Sequence, residues 1–406
     1  MTRRGWLLLL MAAALAARLA FSWKFPQSLP DGSIQDFDLY HRLALTLVEK
    51  GSLLDAQGLK TAMREPAYSF VLAGLYLLTG AKYWALCLLH ALMGALTVLL
   101  VFQLGLRVFG ATTAWLAALM CAFHPQLLYY AAMPRRETFQ ALLLAWSAWL
   151  LFEACDSPTP KRVLLAAVVW ALNPLANSVF LPAGLAAGLA FYFMGRRKGH
   201  EMLKPAALFT AVFLGVYALW PARNALVFDR FIPGITGGGN HIYIGIVVPN
   251  EIAGTPEEQA IVSTDPVVVE AGKQPEDQKD ATFYRGALAW ILAHPAQFAG
   301  KMWASLLKLW RLYPYPRDYG MNYRLIKWVS LLSDGWIIPL GLLGLVLAGR
   351  RIPETDLFNL VLASVTLVYM VFWAVVRYRI PLMPFVFLYA GYALQRLQEK
   401  VSARAT

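Results

Sequence analysis

LFNLVLASVTLVYMVFWAVV, residues 357–376, runs the length of the segment without one charged side chain. A helix rises about 1.5 Å per residue, so about 20 apolar residues cover the roughly 30 Å of membrane hydrocarbon. Similar blocks recur at 6–23, 83–105, 111–130, 138–154, 163–173, 180–195, 206–220, a stretch ending near 349, and 380–394. Apolar residues make up 59% of the chain and charged ones 15%, with a mean hydropathy of +0.52. Such values belong to membrane chains. The strand alternation of a membrane barrel is absent. The fold class read from this pattern is an all-α polytopic membrane protein of about ten transmembrane helices, with juxtamembrane helices on its outer face.

Orientation follows from the basic residues. The net charge is +12, but Lys and Arg gather at span ends such as Arg107, Lys161-Arg162, Arg196-Arg197-Lys198 and Arg350-Arg351. That is the bias of inner loops, and it argues against a nucleic-acid partner. Residues 6–23 exceed a signal-peptide core and lack a small-residue cleavage site, so they read as a retained anchor with a cytoplasmic N-terminus. Residues 66–80, PAYSFVLAGLYLLTG, are too short to cross and read as lying in the outer leaflet. Three parts result: 1–222, a membrane module with a first outer loop at 24–66; 223–320, an outer loop with interfacial helices; and 321–406, the last spans and a cytoplasmic tail. Cys87, Cys121 and Cys155 lie in or at the end of apolar spans and read as packing residues. The Gly237-Gly238-Gly239 run lacks the strand and helix context of a nucleotide loop and reads as a flexible outer turn.

The outer face carries the unusual charges. Arg64, Arg135, Arg136, Arg223, Arg377 and Arg379 fall at outer helix ends, against the positive-inside bias. Contact with lipid headgroups explains any one of them equally well. Several arginines converging from distant parts of the chain suit a lipid-linked phosphate, which guanidinium binds bidentately. Two carboxylates, Asp36 and Asp38, follow the first span. If the segment is helical they point about 200° apart. Asp38 then has Arg42 four residues on as an ion-pair partner, whereas Asp36 has none. Ser33-Ile34-Gln35-Asp36 also fits a helix-capping pattern, in which Asp36 would only stabilise a helix start.

With these residues in view, the chain resembles the GT-C class of integral membrane glycosyltransferases. That class includes the protein O-mannosyltransferases and the bacterial transferase that adds aminoarabinose to lipid A. The resemblance rests on Asp36-Phe37-Asp38-Leu39-Tyr40, Arg64-Glu65-Pro66-Ala67-Tyr68, Trp220-Pro221-Ala222-Arg223-Asn224, the Gly237–Gly239 turn with Tyr243 and Gly245, and Arg377-Tyr378-Arg379-Ile380-Pro381. It implies transfer of a sugar from a polyprenyl-phosphate donor to a lipid, glycan or protein acceptor at the outer face, in a bacterial inner membrane. The family pattern places an Asp four residues before Tyr40, which makes Asp36 the expected base of an inverting displacement, beside Asp38. Tyr40, Arg64, Glu65, Arg135, Arg136, Glu137, Arg223, Asn224, His241, Tyr243, Arg377 and Arg379 are the expected substrate-binding residues. A monophosphate leaving group requires no metal, although the acidic pair leaves room for a divalent one. A polyprenyl-linked glycan ligase or polymerase, and a lipid-sugar flippase, are the competing readings.

Overall fold

The computed structural model describes residues 2–248, 252, 255–315, 322–349 and 352–405. Its architecture is helical, with eighteen α-helices and no named strand among the described residues. In chain order the first nine are α1 (Arg3–Lys24), α2 (Tyr40–Lys50), α3 (Pro66–Thr79), α4 (Tyr83–Val108), α5 (Ala111–Phe123), α6 (Pro125–Ala131), α7 (Glu137–Asp156), α8 (Pro160–Ala176) and α9 (Leu181–Arg197). The rest are α10 (Leu203–Phe228), α11 (Gly238–Val247), α12 (Pro256–Thr264), α13 (Pro266–Gly272), α14 (Glu276–Ala293), α15 (Pro295–Leu309), α16 (Tyr323–Ala348), α17 (Thr355–Val371) and α18 (Met383–Ala405). The ten expected spans map onto α1, α4, α5 with α6, and α7 to α10, then α16 to α18. Among the described residues, six runs are long and apolar enough to cross a membrane: α1, α4, α7, Ser178–Arg197, α10 and α16. Pro66–Thr79, Ala111–Phe123 and Thr355–Val371 are apolar but shorter.

The core forms where small residues let helices approach. A Cβ at Gly344 would run into the Tyr389 carbonyl, so α16 and α18 pack backbone against backbone there. One break in the helices is repaired from a distance. Pro125 has no N–H, so the Cys121 carbonyl loses its partner where α5 gives way to α6. The buried Arg18 of α1 replaces it, donating to Cys121 O at 3.1 Å and Ala122 O at 3.0 Å. All three cysteines are buried and free, as packing residues should be.

The two ends of the bundle differ. At one end short turns carry basic residues paired locally, Arg107 with Glu153 at 3.1 Å and Arg197 with Asp356 at 2.6 Å. At the other lie α2, α3, the start of α7, the α8–α9 break and the helices α11 to α15. The expected flexible turn at Gly237–Gly239 is instead the tight start of α11. A Cβ on Gly238 would meet the Tyr284 hydroxyl, and one on Gly239 the Asp280 carbonyl, so glycine is what lets α11 lie against α14.

Candidate active site

A cavity of about 620 Å³ opens at that second end. All three parts of the chain line it: Asp38, Tyr40, Arg64, Glu65, Arg136 and Glu137 from the first; His241, Asp277, Asp280 and Tyr284 from the second; Tyr369, Trp373 and Arg377 from the third. The loop after α1 enters it because Leu39 takes a left-handed conformation, φ 71°, which turns the chain into α2 at Tyr40. A branched residue rarely adopts this conformation, and surrounding contacts must hold it.

That turn changes the relation of the two aspartates. Residues 36–39 are not helical, so the expected i,i+4 pairing of Asp38 with Arg42 does not form. Asp38 turns inward, where its Oδ2 lies 3.2 Å from Arg135 Nε and 3.1 Å from Arg377 Nη1. Its backbone carbonyl accepts from Arg64 Nε at 2.9 Å. Burial pushes the Asp38 carboxyl up, but the guanidiniums of Arg377, Arg135, Arg64 and Arg136 outweigh that and hold it below its usual range. Asp36 is exposed and does not line the cavity. Its two oxygens accept from the N–H groups of His41 at 3.4 Å and Arg42 at 3.0 Å, in the first turn of α2. The helix-start role, one of two readings open in the sequence, is therefore the one seen in its contacts.

Glu65 is a buried connector. Its Oε2 receives Arg136 at 2.8 Å, and its Oε1 receives the Ser178 N–H at 2.6 Å and hydroxyl at 2.7 Å. Arg136 also donates to the Tyr40 hydroxyl at 2.7 Å. Loop one, the start of α7 and the α8–α9 break are thereby tied together. Glu137 opens α7 and faces Arg377, with Oε1 3.6 Å from Arg377 Nε. Burial, then the charges of Arg64, Arg136 and Arg377, lower His241 to about 4, leaving a neutral imidazole at pH 7. Burial raises Asp280 to about 6, although its Oδ1 accepts the Gly239 N–H at 2.7 Å.

Other expected site residues stand outside the lining. Arg223 donates to Thr61 O at 2.9 Å and stacks 5.1 Å from the Trp220 ring. Asn224 holds Ile232 O at 3.2 Å. Tyr243 donates to both oxygens of Asp265 at 3.0 Å. Arg135 reaches the cavity only through Asp38, and rests 5.0 Å from the Phe37 ring. Arg379 is sealed in the bundle, 2.8 Å from Asp334. Conversely, Asp277, Asp280 and Tyr284 were missed. Their spacing along α14, with Ala281 between, is a single helical stripe that marks a lining face.

No group of three or more His, Cys, Asp or Glu side chains that could hold a metal occurs among the described residues. The cavity carboxylates Asp38 and Glu137 instead share Arg377, whose guanidinium occupies the cationic position between them. The chemistry of the cavity is therefore derived from these charged side chains alone.

Comparison with known proteins agrees with this architecture. Residues 63–222 match the family described as dolichyl-phosphate-mannose-protein mannosyltransferase. The archaeal oligosaccharyltransferase AglB from Archaeoglobus fulgidus, solved with an inhibitory peptide and a dolichol-phosphate, superposes with a TM-score of 0.58 at 15% identity, over 99% of this chain and 51% of that one. The same organism's oligosaccharyltransferase, solved with Zn and sulfate, gives 0.57 at 16% identity, over 97% of this chain and 50% of that one. This chain thus spans about half the length of these relatives in structure. No curated protein matches it in sequence. The fold is similar to that of these oligosaccharyltransferases, in line with the GT-C resemblance of the sequence motifs.

Proposed function

We propose that this protein moves a sugar from a polyprenyl-phosphate carrier onto an acceptor hydroxyl, at the outer face of a bacterial inner membrane. One observation carries the reading: the guanidiniums of Arg64, Arg136 and Arg377 gather with the carboxylates of Asp38, Glu65 and Glu137 among the residues lining one cavity at the loop-rich end of a membrane bundle. The dolichol-phosphate bound to the archaeal relative supports a polyprenyl phosphate as the carrier. In this reading the first and last parts, 1–222 and 321–406, hold the donor phosphate, and the middle part, 223–320, faces the acceptor.

In this reaction the acceptor oxygen attacks the anomeric carbon, and the bond from that carbon to the phosphate oxygen breaks. The leaving phosphate gains charge, which fixed guanidiniums stabilise most when they are already in position. Asp38 and Glu65 supply that positioning, the first through Arg135 and Arg377 and the second through Arg136. A single displacement inverts the anomeric centre. The base must touch the acceptor, and the contacts of Asp36 in α2 favour a cavity carboxylate over it.

Native mass spectrometry of the purified protein tests the donor class. A co-purifying or added polyprenyl-phosphate sugar should appear on the wild-type protein and be lost from Arg64→Ala and Arg377→Ala. Undiminished binding in both variants would remove the phosphate assignment.

A further inference from the structure

Among the described carboxylates lining the cavity, Glu137 alone has a buried oxygen without a partner. Its side chain is 6% exposed, and Oε2 has no hydrogen-bond partner. Leaving a buried acceptor unsatisfied is costly, and each native example calls for an explanation. The other carboxylates are committed. Asp38 shares one oxygen between two arginines, Glu65 spends both oxygens on Arg136 and Ser178, Asp280 takes the Gly239 N–H, and Asp277 lies 3.1 Å from Arg230. Glu137 also sits in the first turn of α7, on the same cavity wall as Arg136 and Arg377.

Resting on the glycosyl-transfer reading above, we infer that Glu137 is the general base and that Asp38 positions the arginines. Oε2 accepts the hydrogen bond of the acceptor hydroxyl and takes its proton as the oxygen bonds to the anomeric carbon. The electron pair of the broken C–O bond leaves with the polyprenyl phosphate, and the proton then passes from Glu137 to solvent. Arg377 serves both sides, lying 3.6 Å from Glu137 Oε1 while facing the departing phosphate, and leaves Oε2 unengaged. Asp38 is a poor base for the same reason that it is a good anchor: two guanidiniums hold its charge.

The test uses the full-length protein in lipid nanodiscs with a panel of synthetic undecaprenyl-phosphate hexoses and pentoses, following release of undecaprenyl phosphate with water as acceptor. Glu137→Gln keeps the shape and removes the base, so release should fall about 10²–10⁴-fold while donor binding by native mass spectrometry stays unchanged. Azide needs no deprotonation, so adding it should restore turnover in Glu137→Gln and yield a glycosyl azide of inverted configuration. A purely structural role would give no such rescue. Near-normal release by Glu137→Gln, or azide rescue of Asp38→Asn instead, would overturn the assignment. A wild-type protein that binds none of the donors removes the underlying reading, and this inference with it.

Discussion

Arg377 and Arg379 are two residues apart on one 3-10 segment, Val376–Leu382, and belong to different worlds. At three residues per turn they project about 120° apart. Arg377 lines the cavity, with Asp38 at 3.1 Å and Glu137 at 3.6 Å. Arg379 has no exposed surface; it donates to Leu309 O at 3.1 Å and to Asp334, itself held by His124 at 2.9 Å and Gln126 at 2.8 Å. The sealed cluster has its charges matched within the protein, in the middle of a bundle. The open one concentrates arginines beside a space that a ligand can enter. A cationic residue at a membrane boundary is thus informative only once its partners are known.

The largest effect expected from this contrast is on stability. Breaking a buried pair by removing one partner costs about 3–5 kcal/mol. Arg379→Met should therefore lower the thermal midpoint in detergent steeply, because Asp334 is left buried beside His124 and Gln126. Adding Asp334→Asn should recover part of the loss. A folded Arg379→Met protein with a normal midpoint but a failed reaction would place Arg379 in the chemistry and erase the contrast.

Arg377→Ala should show the reverse balance. Asp38 keeps Arg135, so folding survives, while turnover falls about 10²–10³-fold, the usual cost of removing one charge-stabilising donor. Lysine at 377 should restore only part of this, because an ammonium cannot reproduce the bidentate fork. Steady-state donor binding and turnover measured together check both statements. A collapse of stability equal to that of Arg379→Met would break the distinction.

The contrast also shows which parts of the molecule the sequence made legible. Apolar blocks and Pro punctuation revealed most helices: α3 starts at Pro66 and α15 at Pro295, each with proline in the first turn. The direction of each side chain was not legible. The helical period assumed for residues 36–42 fails because Leu39 turns left-handed, a conformation that no propensity would assign to leucine. Asp334 did carry a signal, as a lone ionisable group inside an apolar span, the kind of residue that needs a named partner. Its partner Arg379 was visible as a charge but not as a match.

Smaller effects lie in the pH response of the cavity wall. The folded-state value of Asp280, about 6, is raised by burial, so its stabilising contribution is full below the unfolded value of about 3.9 and is lost as pH rises through 6. His241, lowered to about 4 by burial and the arginines, has the opposite sign: its contribution is present above about 6.5 and is lost as pH falls through 4. The two oppose each other in the wild-type protein. Asp280→Asn should leave a midpoint that falls on acidification from pH 7 to 5, and His241→Gln one that rises. Parallel slopes in the two variants would contradict the placement of both groups.

The smallest effect expected is at Asp36, and it bears most directly on how the first loop is read. Its oxygens accept from the His41 and Arg42 N–H groups, so its visible work is to satisfy the start of α2. Asparagine caps helices about as well as aspartate, whereas alanine costs about 0.5–2 kcal/mol. Asp36→Asn should therefore leave both the midpoint and turnover nearly unchanged, and Asp36→Ala should lower the midpoint modestly with turnover following the folded fraction. Asp38→Asn should differ from both, loosening Arg135 and Arg377 together and weakening donor binding before it affects folding. The family pattern, which counts four residues back from Tyr40, expects the opposite ranking. A well-folded Asp36→Asn protein that binds donor and transfers no sugar would return the base to Asp36, and would require α2 to rearrange when the acceptor binds.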